Sequence, residues 1–287
     1  MRWKGSRQSG NFEDRRGMSS GGKIALGGVG GIIVLLISLF MGGDPQQLLQ
    51  QLQTTGTMQQ QQGPVEISDE EKELTEFSRT VLASTEDVWT QLFQEQGSTY
   101  KPATLVVYWD GTETGGCGMG ATAYGPFYCP ADQKLYIDLN FNEELKTKFG
   151  ATGEFAMAYV IAHEVGHHIQ ELLGTMDKVN SMRQRLSEKE YNKLSVRLEL
   201  QADFYAGIWA HYANKNSEIQ INTQDIEDGL NAAAAVGDDR LQMQAQGRVV
   251  PDAFTHGTSA QRAYWFKKGY ETGDMAQGDT FNASSLE

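Results

Sequence analysis

The feature that most constrains the fold of this 287-residue chain is a run of eight apolar residues that leads directly into three histidines. Residues 155–162 read FAMAYVIA, and residues 163–168 read HEVGHH. A helix that is apolar on every face is a buried helix. Ionisable side chains are rarely buried unless they are paired or bind a metal ion. The sequence therefore predicts a core helix that carries a reactive cluster in the interior of a domain.

The cluster has the pattern H-E-x-x-H. His163 and His167 are four residues apart, so on a helix their imidazoles share one face and can bind one metal ion. Glu164 projects from the same helix at a small angle to the two histidines, where it is the candidate general base for a metal-bound water. Gly166 costs about 1 kcal/mol inside a helix relative to Ala, which indicates that a neighbour or the substrate approaches closely there. The pattern predicts one Zn²⁺ ion as cofactor, with the two histidines among its ligands.

A catalytic zinc site needs a third protein ligand. The extended pattern with a third histidine would place it at position 173, which is Leu173, so we expect an acidic ligand from a second helix. Residues 187–214 have helical periodicity, and Glu199 and Asp203 lie four apart within them among apolar neighbours. We predict Glu199 as the third ligand and Asp203 as the acceptor for the other N–H of a ligand imidazole. The alternative third ligands are His168, His211 and His256.

Four segments of the chain, together with its N-terminal part, resemble the family of bacterial membrane-anchored neutral zinc metallopeptidases. The segments are residues 158–168, 197–203, 237–240 and 256–262, so the similarity covers nearly the whole chain. The first two segments hold the H-E-x-x-H pattern and the two acids, whereas the last two have no evident chemistry of their own. The resemblance implies a zincin-like fold and a glutamate as third ligand, but no particular substrate.

The first 65 residues predict a membrane anchor followed by a linker. Residues 1–23 contain six basic and two acidic side chains, a net charge of +4, and residues 24–41 contain no charge. As a helix, residues 24–41 would be about 27 Å long, enough to cross the lipid core. Because basic flanks stay in the cytoplasm, we expect a cytoplasmic tail at 1–23, an uncleaved transmembrane anchor at 24–41 and a flexible Gln-rich linker at 42–65. A cleaved signal peptide is the alternative, although no small-x-small cleavage site follows.

Residues 66–287 are expected to form one extracytoplasmic α+β domain, with a small, mostly antiparallel sheet. After the first 23 residues the chain carries 18 basic and 35 acidic side chains and no basic patch, which argues against a nucleic-acid partner. Ser68, Ser187 and Thr258 each begin a capping box, the signature of a helix start. Periodicity predicts strands at 104–109, 121–128 and 134–141, and helices at 67–97, 154–173, 187–214, 223–242 and 258–270.

The only two cysteines, Cys117 and Cys129, lie twelve residues apart in a segment rich in glycine and aromatic residues. An even pair of cysteines in an extracytoplasmic domain predicts a disulfide. A zinc site built on thiolates would need more cysteines or the tighter C-x-x-C spacing.

His256, in the loop before the last predicted helix, is a second catalytic candidate. A loop histidine can face a cleft and donate a hydrogen bond to the oxyanion that forms during amide hydrolysis. Local packing of His256 is the alternative, and Tyr205 and Tyr212 are alternative donors. Asp238 and Asp239 are interpreted either as a calcium site or as partners of a neighbouring arginine.

The sequence thus predicts a membrane-anchored zinc metalloendopeptidase in which Glu164 passes a proton from water to the leaving amine. The expected partners are a protein or peptide substrate and the lipid bilayer. Two alternatives are a catalytically silent binding or chaperone-like membrane protein with a zincin fold, and a zinc hydrolase of non-peptide bonds. The intact Glu164 favours an enzyme, because a metal-binding scaffold has no need of a general base.

Overall fold

The computed structural model describes residues 1–17, 66–121, 125–151 and 154–287. Within these ranges the chain forms eight α-helices and six β-strands, which confirms the α+β class. The anchor expected at 24–41 and the linker expected at 42–65 lie outside the described residues. None of the helices in the described ranges has both the length and the apolar character needed to cross a bilayer.

Four helices begin and end close to their predicted positions. They are α1 (Asp69–Glu95), α3 (Glu154–Leu172), α5 (Glu188–Asn216) and α8 (Ser259–Thr272). The capping boxes predicted at Ser68, Ser187 and Thr258 are all formed, so that the side chain of each cap accepts the backbone N–H of the third helical residue. These short-range signals are sufficient to locate three of the helix starts.

The remaining helices depart from the sequence-based expectation. The helix predicted at 223–242 is divided into α6 (Thr223–Ala235) and α7 (Asp238–Gln246). The division falls at Gly237, where an added Cβ would collide with the backbone of Ser259 at the start of α8. Two short helices, α2 (Phe141–Thr147) and α4 (Thr175–Met182), were not predicted.

The main sheet has four strands in the order β1-β2-β6-β5. The strands β1 and β2 pair in parallel, as do β2 and β6, and only β5 and β6 are antiparallel. The prediction of a mostly antiparallel sheet is therefore wrong for this sheet, although a separate two-stranded ribbon is antiparallel. The main-sheet strands are β1 (Phe12–Asp14), β2 (Thr104–Tyr108), β5 (Phe127–Cys129) and β6 (Lys134–Asp138), and the ribbon strands are β3 (Gly111–Glu113) and β4 (Met119–Ala121).

Residues 1–17, which the sequence places in a tail, pack against the domain. The indole of Trp3 is 5% exposed and meets the ring of Phe77 edge-on, with 5.2 Å between ring centroids. The strand β1 extends the sheet by pairing with β2. Periodicity does not reveal this arrangement, because a three-residue strand and one isolated tryptophan carry too little pattern.

The centre of the domain is α3, which is buried from residue 155 to residue 170. It packs against α1, α5 and α6 and also contacts β5 and β6. The apolar faces that predict burial are thus covered on several sides, and the H-E-x-x-H pattern lies near the C-terminal half of this core helix.

Candidate metal centre

Three side chains from α3 and α5 converge at one point. Glu199 Oε2 lies 3.2 Å from His163 Nε2, and Glu199 Oε1 lies 3.4 Å from His167 Nε2. One ligand atom from each of the three residues lies within 4.8 Å of the others. Two imidazole nitrogens and one carboxylate oxygen form a donor set that zinc accepts. The structure therefore brings together the three residues that the sequence predicts as ligands.

Each imidazole is oriented by a hydrogen bond from its other nitrogen. His163 Nδ1 lies 2.8 Å from Asp203 Oδ1, and His167 Nδ1 lies 2.9 Å from Gln170 Oε1. The side-chain nitrogen of Gln170 donates to the carbonyl of Leu198, which leaves its oxygen as the acceptor. Because a carboxylate or amide oxygen only accepts, Nδ1 carries the proton in both rings. The Nε2 atoms then face Glu199, the position from which they would bind a metal ion.

A buried arginine completes the cluster around Asp203. Arg262 donates from Nε to Asp203 Oδ2 at 2.8 Å and from Nη2 to Oδ1 at 3.0 Å, a bidentate pair. The hydroxyl of Tyr159 also donates to Asp203 Oδ1, at 2.5 Å. Asp203 is fully buried, so these donors compensate for its lost hydration. Sequence patterns did not assign a role to Arg262, Tyr159 or Gln170. Arg262 and Tyr159 reach Asp203 from other helices, and Gln170, three residues after His167, lies outside the H-E-x-x-H pattern.

The electrostatics of the cluster favour a bound cation. Burial by itself lowers the pKa of His163, but the carboxylates of Asp203 and Glu199 outweigh it and raise the pKa to about 10. Burial raises the pKa of Glu199, but the imidazoles of His167, His256 and His163 together outweigh it and hold this pKa well below its usual range. Burial likewise raises the pKa of Asp203, but Arg262 and His163 together outweigh it and lower this pKa. Two ionised carboxylates around imidazoles attract positive charge, as a metal site requires.

Gly166 explains how the two helices approach closely enough to form the cluster. An added Cβ at Gly166 would lie 2.8 Å from the carbonyl oxygen of Ala202 and 3.0 Å from its Cα. Ala202 lies on α5 between Glu199 and Asp203 in sequence. The close neighbour that the sequence predicts at Gly166 is therefore the backbone of the helix that supplies both acids.

The cluster lies in the wall of an open cleft of about 540 Å³. Glu164, predicted as the general base, lines this cleft together with both histidines and Glu199. Strand β5 is the last strand of the sheet on this side and contributes Phe127 and Tyr128 to the wall. Other apolar side chains of the cleft include Phe141, Val160, Met176, Leu198 and Leu241.

His256 faces the same cleft, and Asp238 holds the loop that carries it. Asp238 Oδ2 accepts the backbone N–H groups of Thr255, His256 and Gly257 at 2.7, 2.6 and 3.1 Å. Asp238 Oδ1 also lies 3.3 Å from His256 Nδ1, and the imidazole is 49% exposed. Desolvation lowers the pKa of His256, but Glu199 and Asp238 outweigh it and raise this pKa. The role of Asp238 is thus to shape this loop.

Two of the alternative metal ligands and both alternative oxyanion donors lie away from the cleft. His168 is buried and bonds through Nε2 to the carbonyl of Lys101 and through Nδ1 to the hydroxyl of Tyr128. His211 bonds to the backbone of α8. The hydroxyl of Tyr212 donates to a backbone carbonyl, and Tyr205 packs edge-on against a buried tryptophan. None of these four side chains is part of the cleft wall.

Two further predictions concern residues near the cleft. Cys117 and Cys129 form the predicted disulfide, which ties the end of β5 to the loop after β3. Asp239 accepts hydrogen bonds from the backbone and the hydroxyl of Ser259, so it caps the start of α8. Asp238 and Asp239 thus both accept hydrogen bonds from backbone N–H groups and hold the segments before and at the start of α8.

An α+β domain in which two imidazoles and a carboxylate converge beside an open cleft has the features of a metal-dependent enzyme. Comparison with known proteins specifies the family. The family model described as "Putative neutral zinc metallopeptidase" matches residues 1–281, and the chain belongs to this family.

Two relatives illustrate the extent of the similarity. The chain is 50% identical to the uncharacterized protein YpfJ of Escherichia coli strain K12 over 291 aligned residues, which cover 99% of this chain and 100% of the relative. It is 46% identical over 180 residues to an uncharacterized protein of Mycobacterium tuberculosis strain H37Rv, which covers 60% of each chain. No solved structure matches the chain.

Proposed function

We propose that the protein is a zinc-dependent metalloendopeptidase. The observation that carries this proposal is the convergence of His163, His167 and Glu199 within 4.8 Å, in the wall of a cleft that also contains Glu164. Family membership supports the zinc metallopeptidase class. The three converging residues would hold the ion, which supplies a Lewis acid that polarises a carbonyl and lowers the pKa of water towards about 7.

Different side chains of the cleft transfer the proton and stabilise the oxyanion. Glu164 accepts a proton from the attacking water and passes it to the leaving amine, which is general base and then general acid catalysis. His256 donates a hydrogen bond to the oxyanion as the carbonyl carbon becomes tetrahedral. Asp203 and Gln170 hold the two imidazoles through their Nδ1 atoms, so that the ligand geometry is set before substrate binds.

The shape of the cleft indicates an extended polypeptide as substrate. Strand β5 is an edge strand at the cleft, and an extended segment can add to such an edge through main-chain hydrogen bonds. The apolar side chains around it provide contacts for substrate side chains without selecting a charge. We expect unstructured segments to be cleaved, because a folded strand is already paired.

Substitution of Glu164 and of Glu199 tests the proposal by separating chemistry from metal binding. Glu164→Gln should abolish hydrolysis of an unstructured protein while zinc content stays near one ion per chain, because the base is lost and the ligands remain. Glu199→Ala should lose both zinc and activity. The measurements are peptide-bond cleavage with and without a chelator, and metal content by elemental analysis.

Glu171→Gln is a matched control for the first variant, since it makes the same change on α3 outside the cluster. It should keep both zinc and activity. Hydrolysis that persists in Glu164→Gln, or full zinc content in Glu199→Ala, would contradict the assignment. A protein that binds zinc and unstructured polypeptide without cleaving it would instead be the silent binding protein.

A further inference from the structure

The first seventeen residues are an integral part of the domain. Leu105 N donates to the carbonyl of Asn11 at 3.0 Å, and Arg15 N donates to the carbonyl of Val107 at 2.8 Å, so the backbone of this segment is bonded to β2 on both sides of β1. Trp3 Nε1 also donates to a carboxylate oxygen of α3 at 3.2 Å. These contacts connect the segment to the sheet and to the core helix.

The basic side chains of this segment bind acids of the domain. Arg7 pairs with Glu86 at 3.0 Å and with Asp87 at 2.6 Å, both on α1, and Lys4 pairs with Glu73 on the same helix. Glu86 also accepts hydrogen bonds from Ser9 and Asn11 of the segment. The positive charge that suggests a cytoplasmic tail is thus complementary to the negative charge of α1.

The two ends of the segment between residues 17 and 66 meet at one tryptophan. The guanidinium of Arg16 lies over the indole of Trp109, 5.9 Å from the ring centroid. The indole nitrogen of Trp109 donates to Glu71 Oε1 at 3.0 Å. Arg16 and Glu71 thus lie at the same corner of the domain, beside the C-terminal end of β2.

We infer that residues 1–17 lie on the same side of the membrane as the domain, which replaces the single-pass topology predicted from the sequence. A single crossing would separate residues 17 and 66 by a lipid core about 30 Å thick. That separation is incompatible with the pairing of β1 with β2 and with the two contacts at Trp109.

Cysteine labelling tests the topology in the full-length protein in its own membrane. Gly10→Cys places a thiol in the N-terminal segment, where an added Cβ meets no atom within 4 Å. Ser98→Cys places a matched thiol on an exposed residue after α1. Both native cysteines form a disulfide, so neither reacts with a maleimide. The probe is a membrane-impermeant maleimide, applied to whole cells and to inverted membrane vesicles.

We expect the thiols at positions 10 and 98 to react from the same face and to be protected together from the other. Labelling from opposite faces would overturn the inference and restore the single-pass topology. Loss of residues 1–17 from the mature protein, detected by peptide mass analysis, would also overturn it. The result does not depend on peptidase activity, so it stands apart from the proposed function.

A second measurement uses the stability of the full-length protein in detergent. Trp3→Ala removes a buried indole and should lower the unfolding temperature of the domain by about 6–20 °C, as expected for a large-to-small change in a core. Arg2→Ala is the control, since Arg2 is exposed and contacts the domain through its backbone. An unchanged unfolding temperature in Trp3→Ala would overturn the inference, because a segment across the membrane cannot stabilise the domain.

Discussion

At the scale of single residues, the contrast between His256 and Asp238 separates transition-state stabilisation from loop positioning. His256→Ala should lower kcat roughly 100-fold with little change in KM, because one oxyanion donor is lost. Asp238→Ala should lower kcat as well, but should also raise KM, because three backbone N–H groups of the loop lose their acceptor. Steady-state kinetics on one peptide measures both effects. A wild-type kcat in His256→Ala would exclude the oxyanion role.

A second prediction for a single residue concerns Asp203, whose carboxylate would affect zinc binding through its hydrogen bond to His163. Asp203→Asn keeps the size of the side chain but removes its charge, and should weaken zinc binding by about 10- to 100-fold. Competition against a chromogenic chelator measures this affinity. Asp239→Asn is the control, because Asp239 caps α8 without touching the cluster. An unchanged zinc affinity in the folded Asp203→Asn variant would show that the hydrogen bond to His163 does not tune the metal site.

At the scale of helices, two glycine contacts determine how the elements of the site approach each other. Gly166 lies against the backbone of Ala202 where α3 meets α5. Gly207 on α5 and Gly269 on α8 lie against the backbone of the opposite helix. The first contact brings Glu199 to the histidines, and the second brings α8, which carries Arg262, next to α5. Short distances between helix axes are thus a condition for the cluster.

Gly166→Ala tests the first contact. Alanine gains about 1 kcal/mol in helix propensity, but overpacking against a rigid backbone costs about 1–3 kcal/mol. The balance favours destabilisation and a wider separation of α3 and α5, so we expect both a lower unfolding temperature and weaker zinc binding. Gly10→Ala is the control, because a Cβ there meets no atom within 4 Å. A more stable variant with unchanged zinc affinity would show that the helices do not need this glycine.

Helices were more predictable than strands for a physical reason. A capping box and a 3.6-residue period act within a few residues, so the starts of α1, α5 and α8 were evident. The strands are three to five residues long, and the parallel pairs of the main sheet join residues that are distant in sequence. The parallel sense of β1 and β2 depends on a segment more than ninety residues away from its partner, which no local pattern reports.

At the scale of the whole molecule, zinc should act as a cross-link between α3 and α5. An ion that binds only the folded state stabilises it by about 4 kcal/mol when its concentration is 1,000 times Kd. Removal of zinc by a chelator should therefore lower the unfolding temperature by roughly 8–16 °C for a domain of this size. Glu199→Ala should show no response to the chelator. Equal unfolding temperatures with and without zinc would argue against a metal site that joins the two helices.

The amino-acid sequence by itself determined the parts of the site that one helix can present. His163, Glu164 and His167 share a buried helix because their spacing and their apolar neighbours act locally. Glu199 was also predicted from the sequence, but only the tertiary structure showed that it, and not His168, His211 or His256, lies with the two histidines. Only the tertiary structure revealed the roles of Arg262 and of the first seventeen residues. The reason is that these contacts join residues tens to hundreds of positions apart. Their proximity depends on how complete elements pack, and sequence spacing does not encode that packing.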